Sequence, residues 1–215
     1  MTLMTKEDLI LATKQRRLHV VKNFHEGPSW EEINNFYDSA KLTKTVVYNS
    51  FSTMVIEEDT RVLQHYQKAI SNFSSYHKGR VLFSMMIIHF LNRNNNVMTD
   101  KNLVNLFSKF VEDNSKKIPE ELKIKDNGID GWPTESWSPT IHSDAQDRLF
   151  IQGSGQSLWK VFHDNQELNY EVLLSEGDVA YIPKGVTHSV ESMCPRHSAS
   201  IAFSDDPEIT SLGMV

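Results

Sequence analysis

The sequence lacks what several large protein classes require. It has one cysteine, Cys194, among 215 residues, which excludes an internal disulfide framework and is typical of a reducing compartment. No apolar run approaches the roughly 20 residues of a membrane-spanning helix. The first residues carry acidic side chains where a signal peptide has a basic and then an apolar region. We therefore expect a cytoplasmic protein that does not contact a membrane.

Basic residues are also scarce relative to acidic ones. Lysine and arginine number 22 against 28 aspartates and glutamates, which gives a formal net charge of −6. Such a surface disfavours binding to phosphate backbones, so no nucleic-acid partner is expected. Hydrophobic residues at 39% and charged residues at 23% are ordinary for a globular protein. The length suffices for one substantial core, and we predict a single domain over residues 1–215.

Residues 1–130 carry mostly helical signals with a few strands. Apolar residues recur at helical spacing in four stretches, three of them preceded by capping residues. Thr5 caps a predicted helix that runs to about Arg17, the Ser29–Glu32 capping box begins a second helix, and Thr99 or Asp100 caps another. The remaining helix has no predicted cap and carries Leu63, Tyr66, Ile70 and Phe73 on one face. Leu18–Phe24 and Thr45–Ile56 are rich in β-branched and aromatic residues, which predicts strands.

One apolar segment is ambiguous. Val81–Leu91 is hydrophobic on all sides, which is compatible with a buried helix or a buried strand. We predict a helix.

Residues 131–205 have a different pattern, with strand signals in place of helical ones. Short runs of alternating apolar and polar residues are separated by turn residues, and this spacing favours a β-sandwich or jelly roll over a βαβ sheet. The predicted strands are Leu149–Gln152, Leu158–Phe162, Tyr170–Leu174, Val179–Ile182, Thr187–Glu191 and Ser198–Phe203.

Three residues in this β-rich part predict a metal site. His142 and Asp144 are two positions apart, so on an extended segment their side chains leave the same face. His188 follows a turn at Pro183–Gly185, on the return strand of a predicted hairpin. Two imidazoles and one carboxylate form the facial triad of non-haem Fe(II) oxygenases and leave about three metal positions open. The alternative is a surface turn at His142 and Asp144 with His188 as a core histidine.

The two halves of this region resemble a known family. Ile141–Trp159 resembles the core of the JmjC and cupin-like 2-oxoglutarate oxygenases, in particular the ribosomal oxygenases, and Leu174–His188 is similar to their second conserved run. The resemblance covers residues 136–204. It implies a double-stranded β-helix (a cupin or jelly-roll core) decorated by N-terminal α-helices.

The resemblance also implies an activity. Fe(II) would be held by His142, Asp144 and His188, and 2-oxoglutarate and O₂ would be consumed in hydroxylating a C–H bond. The substrate would be a protein or peptide side chain, with a small molecule as the main alternative, and a homodimer is left open. The ribosomal oxygenases carry further C-terminal domains, which we expect this chain to lack because it ends at Val215.

The same comparison assigns residues around the cosubstrate. Gln152 and Trp159, together with Phe150, would lie on inner strands beside 2-oxoglutarate, although plain core packing explains the aromatic residues equally well. The family has a lysine or arginine two residues before the tryptophan, which pairs with the far carboxylate of 2-oxoglutarate. Here that position is Ser157.

A dicarboxylate in a partly buried pocket needs a compensating cation. Residues that could replace the missing one are Arg148, Arg196, Lys160 and Lys184. We predict Arg148, with a salt bridge to Asp144 or Asp147 as its alternative role. Lys160 should alternate to the face opposite Trp159, and Lys184 should be solvated in a turn.

Two rival functions follow from the same residues. Ser157 favours a metal-dependent cupin enzyme that does not use 2-oxoglutarate. A non-catalytic JmjC-like binding module would keep the fold without turnover, and the intact triad argues against it.

Overall fold

The computed structural model describes residues 4–24, 26–39, 45–48, 53–57, 60–90, 100–114 and 141–204. The helices in these ranges are α1 (Lys6–Gln15), α2 (Trp30–Ser39), α3 (Thr60–Ser74) and α4 (Lys101–Asn114). The strands are β1 (His19–Val21), β2 (Thr45–Tyr48), β3 (Thr53–Glu57), β4 (Arg80–His89), β5 (His142–Ser143), β6 (Asp147–Ser154), β7 (Ser157–Phe162), β8 (Leu168–Leu174), β9 (Val179–Ile182), β10 (Thr187–Ser192) and β11 (Arg196–Ser204).

The strands form two antiparallel sheets. The larger has seven strands in the order β1-β9-β6-β11-β4-β3-β2, and the smaller has four in the order β5-β10-β7-β8. Strands from residues 1–130 pair with strands from the later part, since β1 pairs with β9 and β4 pairs with β11. This is a cupin-like β-sandwich with mostly N-terminal helices, which confirms the predicted fold class.

Two apolar clusters explain why the large sheet is buried on both faces. The first joins side chains of the large sheet, among them Met86 and Ile201, to residues of all four helices. The second includes Phe150 and Ala180 of the large sheet and Trp159 and Val190 of the small one, so it fills the space between the sheets. The small sheet buries mainly one face, since β7 alternates buried and half-buried residues along its length.

The predicted helix at Val81–Leu91 is wrong, because residues 81–89 belong to strand β4. β4 lies between β11 and β3 in the large sheet. Its side chains alternate between the two clusters: Met86 and Ile88 belong to the helix-facing cluster, and Ile87 packs against the one between the sheets. A central strand covered on both faces is apolar all round, which removes the periodicity that separates strand from helix.

The other predicted helices and strands are confirmed, and so are the caps predicted for α1, α2 and α4. Thr5 and Asp8 form a reciprocal capping box at α1, and the Ser29 hydroxyl accepts from the Glu32 N–H at 3.2 Å at the start of α2. Asp100 caps α4 through the Leu103 N–H at 3.1 Å; Thr99, the alternative cap, lies outside the described residues. Thr45–Ile56 contains two strands, β2 and β3.

The Gly177–Asp178 turn ties β1 to the large sheet. Asp178 is buried, and its carboxylate accepts from the backbone N–H of Ser175 at 2.8 Å and of Asn23 at 3.0 Å, and from Lys22 Nζ at 2.7 Å. Gly177 has φ of 84°, a left-handed conformation that favours glycine. Gly177 and Asp178 therefore stabilise the turn that joins β8 to β9.

Within the described ranges, no helix is long and apolar enough to cross a membrane.

Candidate metal centre

The triad residues meet because β5 and β10 pair. His142 in β5 and His188 in β10 are direct antiparallel partners, which places their side chains on one face with ring centroids 4.5 Å apart. Asp144 follows β5 directly, and its Oδ2 lies 3.9 Å from His188 Nε2. One ligand atom from each of the three residues lies within 4.8 Å of the others. The three predicted residues are thus brought together in a geometry that could hold a metal ion.

His188 is in the form that a metal requires. Its Nδ1 lies 2.9 Å from the carbonyl oxygen of Val186; because a carbonyl can only accept, Nδ1 carries the proton and Nε2 presents its lone pair to the site. Burial, together with the neighbouring His142, lowers the pKa of His188 to about 4. At neutral pH the ring is therefore uncharged and able to bind a cation.

Asp144 is oriented by two contacts. Arg148 Nη2 donates to Asp144 Oδ1 at 2.8 Å, and the backbone N–H of Gly185 donates to the Asp144 carbonyl at 2.9 Å. The second carboxylate oxygen, Oδ2, is the one that faces His188. Asp144 thus offers one oxygen to a metal, with the other held by the arginine.

Arg148 therefore makes the salt bridge that was the alternative to its predicted role. Of the two carboxylates considered, Asp144 is the partner; Asp147 instead lies 2.7 Å from His77 Nε2 and accepts from the Lys184 N–H. A contact between Arg148 and a cosubstrate stays a prediction. Lys160 points to the outer face of β7, where it pairs with Glu191 at 3.3 Å and Glu171 at 3.9 Å, and Lys184 is exposed.

Ser157 belongs to a closed network of buried polar side chains. Its hydroxyl donates to Gln152 Oε1 at 2.8 Å and accepts from Trp159 Nε1 at 3.1 Å. The Gln152 amide nitrogen in turn donates to the Ser154 carbonyl at 2.6 Å. Gln152, Ser157 and Trp159 are all buried, so these three side chains lie together and satisfy one another's hydrogen bonds.

Aromatic rings connect this network to the metal ligands. Trp159 stacks on His188, with centroids 5.2 Å apart and an interplanar angle of 24°. Phe150 meets Trp159 edge-on at 4.7 Å. Trp159 therefore has a role beyond filling the core, since its ring fixes the plane of a triad histidine.

Arg196 lies in the same interior. It begins β11, is 2% exposed, and its guanidinium carbon is 5.8 Å from the centre of the Phe150 ring. Its Nε donates to Ser192 Oγ at 2.9 Å and its Nη1 to Ser198 Oγ at 2.6 Å. These two serines were not predicted from the sequence. Their signal was their phase in the strands, since Ser192 alternates with His188 and Val190 on the buried face of β10 and Ser198 alternates with Ser200 in β11.

The glycines of Gln152–Gly155 have a packing role. A Cβ on Gly153 would collide with the imidazole of His197 and the hydroxyl of Tyr66. His197 Nε2 donates to the Pro28 carbonyl at 2.8 Å, and its Nδ1 therefore accepts from Tyr66 at 3.1 Å. This buried bridge between β11, α3 and the segment before α2 was not foreseen from the sequence.

Solved structures with this fold include the ribosomal oxygenase YcfD from Escherichia coli. The superposition gives a TM-score of 0.58 at 15% sequence identity and covers 96% of this chain and 53% of that one. The chain shares the fold of that structure. A YcfD structure in complex with cobalt and 2-oxoglutarate matches with a TM-score of 0.54 at 15% identity, covering 96% and 54% of the two chains.

The similarity is one of fold and not of close sequence. The chain spans about half the length of the YcfD structures it matches. No protein-family model matches the sequence, and no curated protein matches it.

Proposed function

We propose that the protein is an Fe(II)- and 2-oxoglutarate-dependent oxygenase that hydroxylates a C–H bond, with a protein or peptide side chain as the substrate. The observation that carries this proposal is the cluster of His142, Asp144 and His188, whose ligand atoms lie within 4.8 Å of one another. It stands in a fold that the YcfD complex with cobalt and 2-oxoglutarate shares.

The chemistry of the three side chains fits a divalent iron. Two neutral imidazoles and one carboxylate bind non-haem Fe(II) on one side and leave about three positions for a chelating 2-oxo acid and O₂. His188 is held neutral by burial, and Asp144 presents one oxygen while Arg148 holds the other. When bound, the iron supplies oxidative decarboxylation of the 2-oxo acid and the resulting oxidising power.

The chain's own residues orient and shield this chemistry. The Val186 carbonyl fixes the His188 tautomer, and the Trp159 ring fixes its plane. Phe150, Trp159 and Val190 belong to the apolar cluster between the sheets, which excludes water from the inner side of the triad. Exclusion of water limits side reactions of reactive species.

A metal-dependent cupin enzyme that does not use 2-oxoglutarate is the second candidate. The observation in its favour is Ser157, which stands where the related family has a cation and whose hydroxyl proton goes to Gln152. The two proposals differ in whether 2-oxoglutarate is consumed.

Succinate formation is the deciding assay. Protein supplied with Fe(II), ascorbate and O₂ should convert 2-oxoglutarate to succinate, slowly even without its prime substrate, and Asp144→Ala should abolish this turnover. Lys160→Met, on the outer face of β7, is the control and should turn over like the unaltered protein. Stoichiometric iron binding without succinate would support the cupin enzyme instead, and iron binding undiminished in His142→Ala would reject the triad.

A further inference from the structure

Arg196 is a buried cation whose hydrogen-bonding capacity is only partly used. A guanidinium has about five N–H donors. Two of them donate to the hydroxyls of Ser192 and Ser198. The other three have no acceptor among the residues that the structure describes. Each serine hydroxyl accepts from the arginine and keeps its own proton to donate, so the surroundings of Arg196 are rich in donors.

No carboxylate lies within ion-pair distance of Arg196 in the described ranges. The salt bridges of the described residues do not include Arg196. Its neighbour across the ladder is His89 of β4, and burial keeps the pKa of that histidine well below its usual value, so it is neutral. Burial also lowers the pKa of Arg196 to about 9, which leaves the guanidinium charged at neutral pH. An uncompensated buried charge is costly, and a bound anion would remove that cost.

The family's usual position for such a cation cannot serve here. Ser157 has a single hydroxyl proton, and that proton is donated to Gln152. Its oxygen accepts from Trp159. A carboxylate arriving at Ser157 would meet no free donor from this side chain.

Arg196 and the triad face the same interior. Two aromatic rings lie between them, because Arg196 sits over Phe150, Phe150 meets Trp159, and Trp159 stacks on His188. An elongated ligand bound at the triad by one end could therefore approach Arg196 with the other.

We propose that Arg196, flanked by Ser192 and Ser198, is the anion anchor of this site and receives the far carboxylate of a chelating 2-oxo dicarboxylate. A planar carboxylate matches the guanidinium fork in a bidentate pair. The anchor is thus on β11 and not on β7, where the related family has it. This inference rests on the proposed function for its ligand, and the experiment below separates the two.

The test compares two 2-oxo acids that differ in the far carboxylate. 2-Oxoglutarate has it and 2-oxobutyrate does not, while both can chelate a metal. Binding is measured by calorimetry without O₂ on the Co(II)-loaded protein, so no turnover is needed. The unaltered protein should prefer 2-oxoglutarate by about 10- to 100-fold, as expected of a charge-assisted hydrogen-bonded pair. Arg196→Met and Arg196→Gln should bind the two acids alike.

Lys160→Met is the matched control, because it removes a cation from the outer face of β7 and should leave the preference unchanged. A second readout separates an anchor from a structural arginine. Without ligand, Arg196→Met should be at least as resistant to heat as the unaltered protein, since it removes an uncompensated buried charge. In this variant 2-oxoglutarate should raise the melting temperature no more than 2-oxobutyrate does.

Each outcome bears on the anchor. A preference for 2-oxoglutarate retained in either folded Arg196 variant would overturn it, as would an unaltered protein that binds both acids equally. A preference that depends on Arg196 in a protein that forms no succinate would support the anchor and reject the oxygenase.

Discussion

Replacing Asp178 with alanine should destabilise the protein substantially, and the structure indicates by how much. The carboxylate is buried and accepts from two backbone N–H groups, those of Ser175 and Asn23, and from Lys22 Nζ. Leaving a fully buried N–H without its acceptor costs about 1–3 kcal/mol; both hydrogen bonds here are partly buried, so about 1–2 kcal/mol applies to each. The Lys22 side chain is 52% exposed, so losing this ion pair costs only about 0–1 kcal/mol. We expect Asp178→Ala to lower the free energy of unfolding by about 2–5 kcal/mol.

Urea denaturation followed by circular dichroism measures this directly, with two companion variants. Asp178→Asn keeps one acceptor oxygen but turns an amide toward the remaining donors, so its loss should fall between that of alanine and zero. Lys22→Ala should cost less than about 1 kcal/mol. If Lys22→Ala were as damaging as Asp178→Ala, the salt bridge and not the capping of the backbone would hold the turn, and the reasoning would be refuted.

Three further predictions concern stability. Burial lowers the pKa of His188 from 6.5 to about 4, so between these pH values the unfolded chain binds a proton at this residue and the folded chain does not. The free energy of unfolding of the metal-free protein should therefore fall by up to about 3 kcal/mol as the pH drops from 6.5 to about 4. His188→Gln should flatten that part of the pH profile measured by urea denaturation. His197→Phe removes the hydrogen bonds to Tyr66 and Pro28 and should lower the free energy of unfolding by about 2–3 kcal/mol. An unchanged midpoint of chemical denaturation would rule out a stabilising role for these hydrogen bonds. Ser29→Ala removes the α2 cap and should cost about 1 kcal/mol, with Ser29→Asp restoring it.

Helix caps and alternating apolar residues predicted most of the helices and strands, because these features depend only on residues close together in the sequence. The capping boxes at Thr5 and Ser29 appear as side-chain and backbone hydrogen bonds in the structure. The alternating runs became β6 to β11. Periodicity did not identify β4 as a strand, because other parts of the fold pack on both of its faces and most of its positions are therefore apolar.

The grouping of the three triad residues was predictable from the sequence, and the arrangement of the charged residues around them was not. The spacing of His142 and Asp144 and the hairpin bearing His188 are local, and the structure brings the three together. The choice among Arg148, Arg196, Lys160 and Lys184 depends on which strands face each other across the interior. Position in the sequence does not show that Arg148 pairs with Asp144 or that Arg196 is buried against Phe150.

Anaerobic visible absorption is the most direct test of the proposed binding of Fe(II) by the triad with 2-oxoglutarate chelated to it. Fe(II) added to the protein with 2-oxoglutarate should give a metal-to-ligand charge-transfer band that saturates at one iron per chain. Asp144→Ala and His188→Ala should lack the band while remaining folded. Absence of the band in the unaltered protein with iron bound, or its persistence in either variant, would contradict the account.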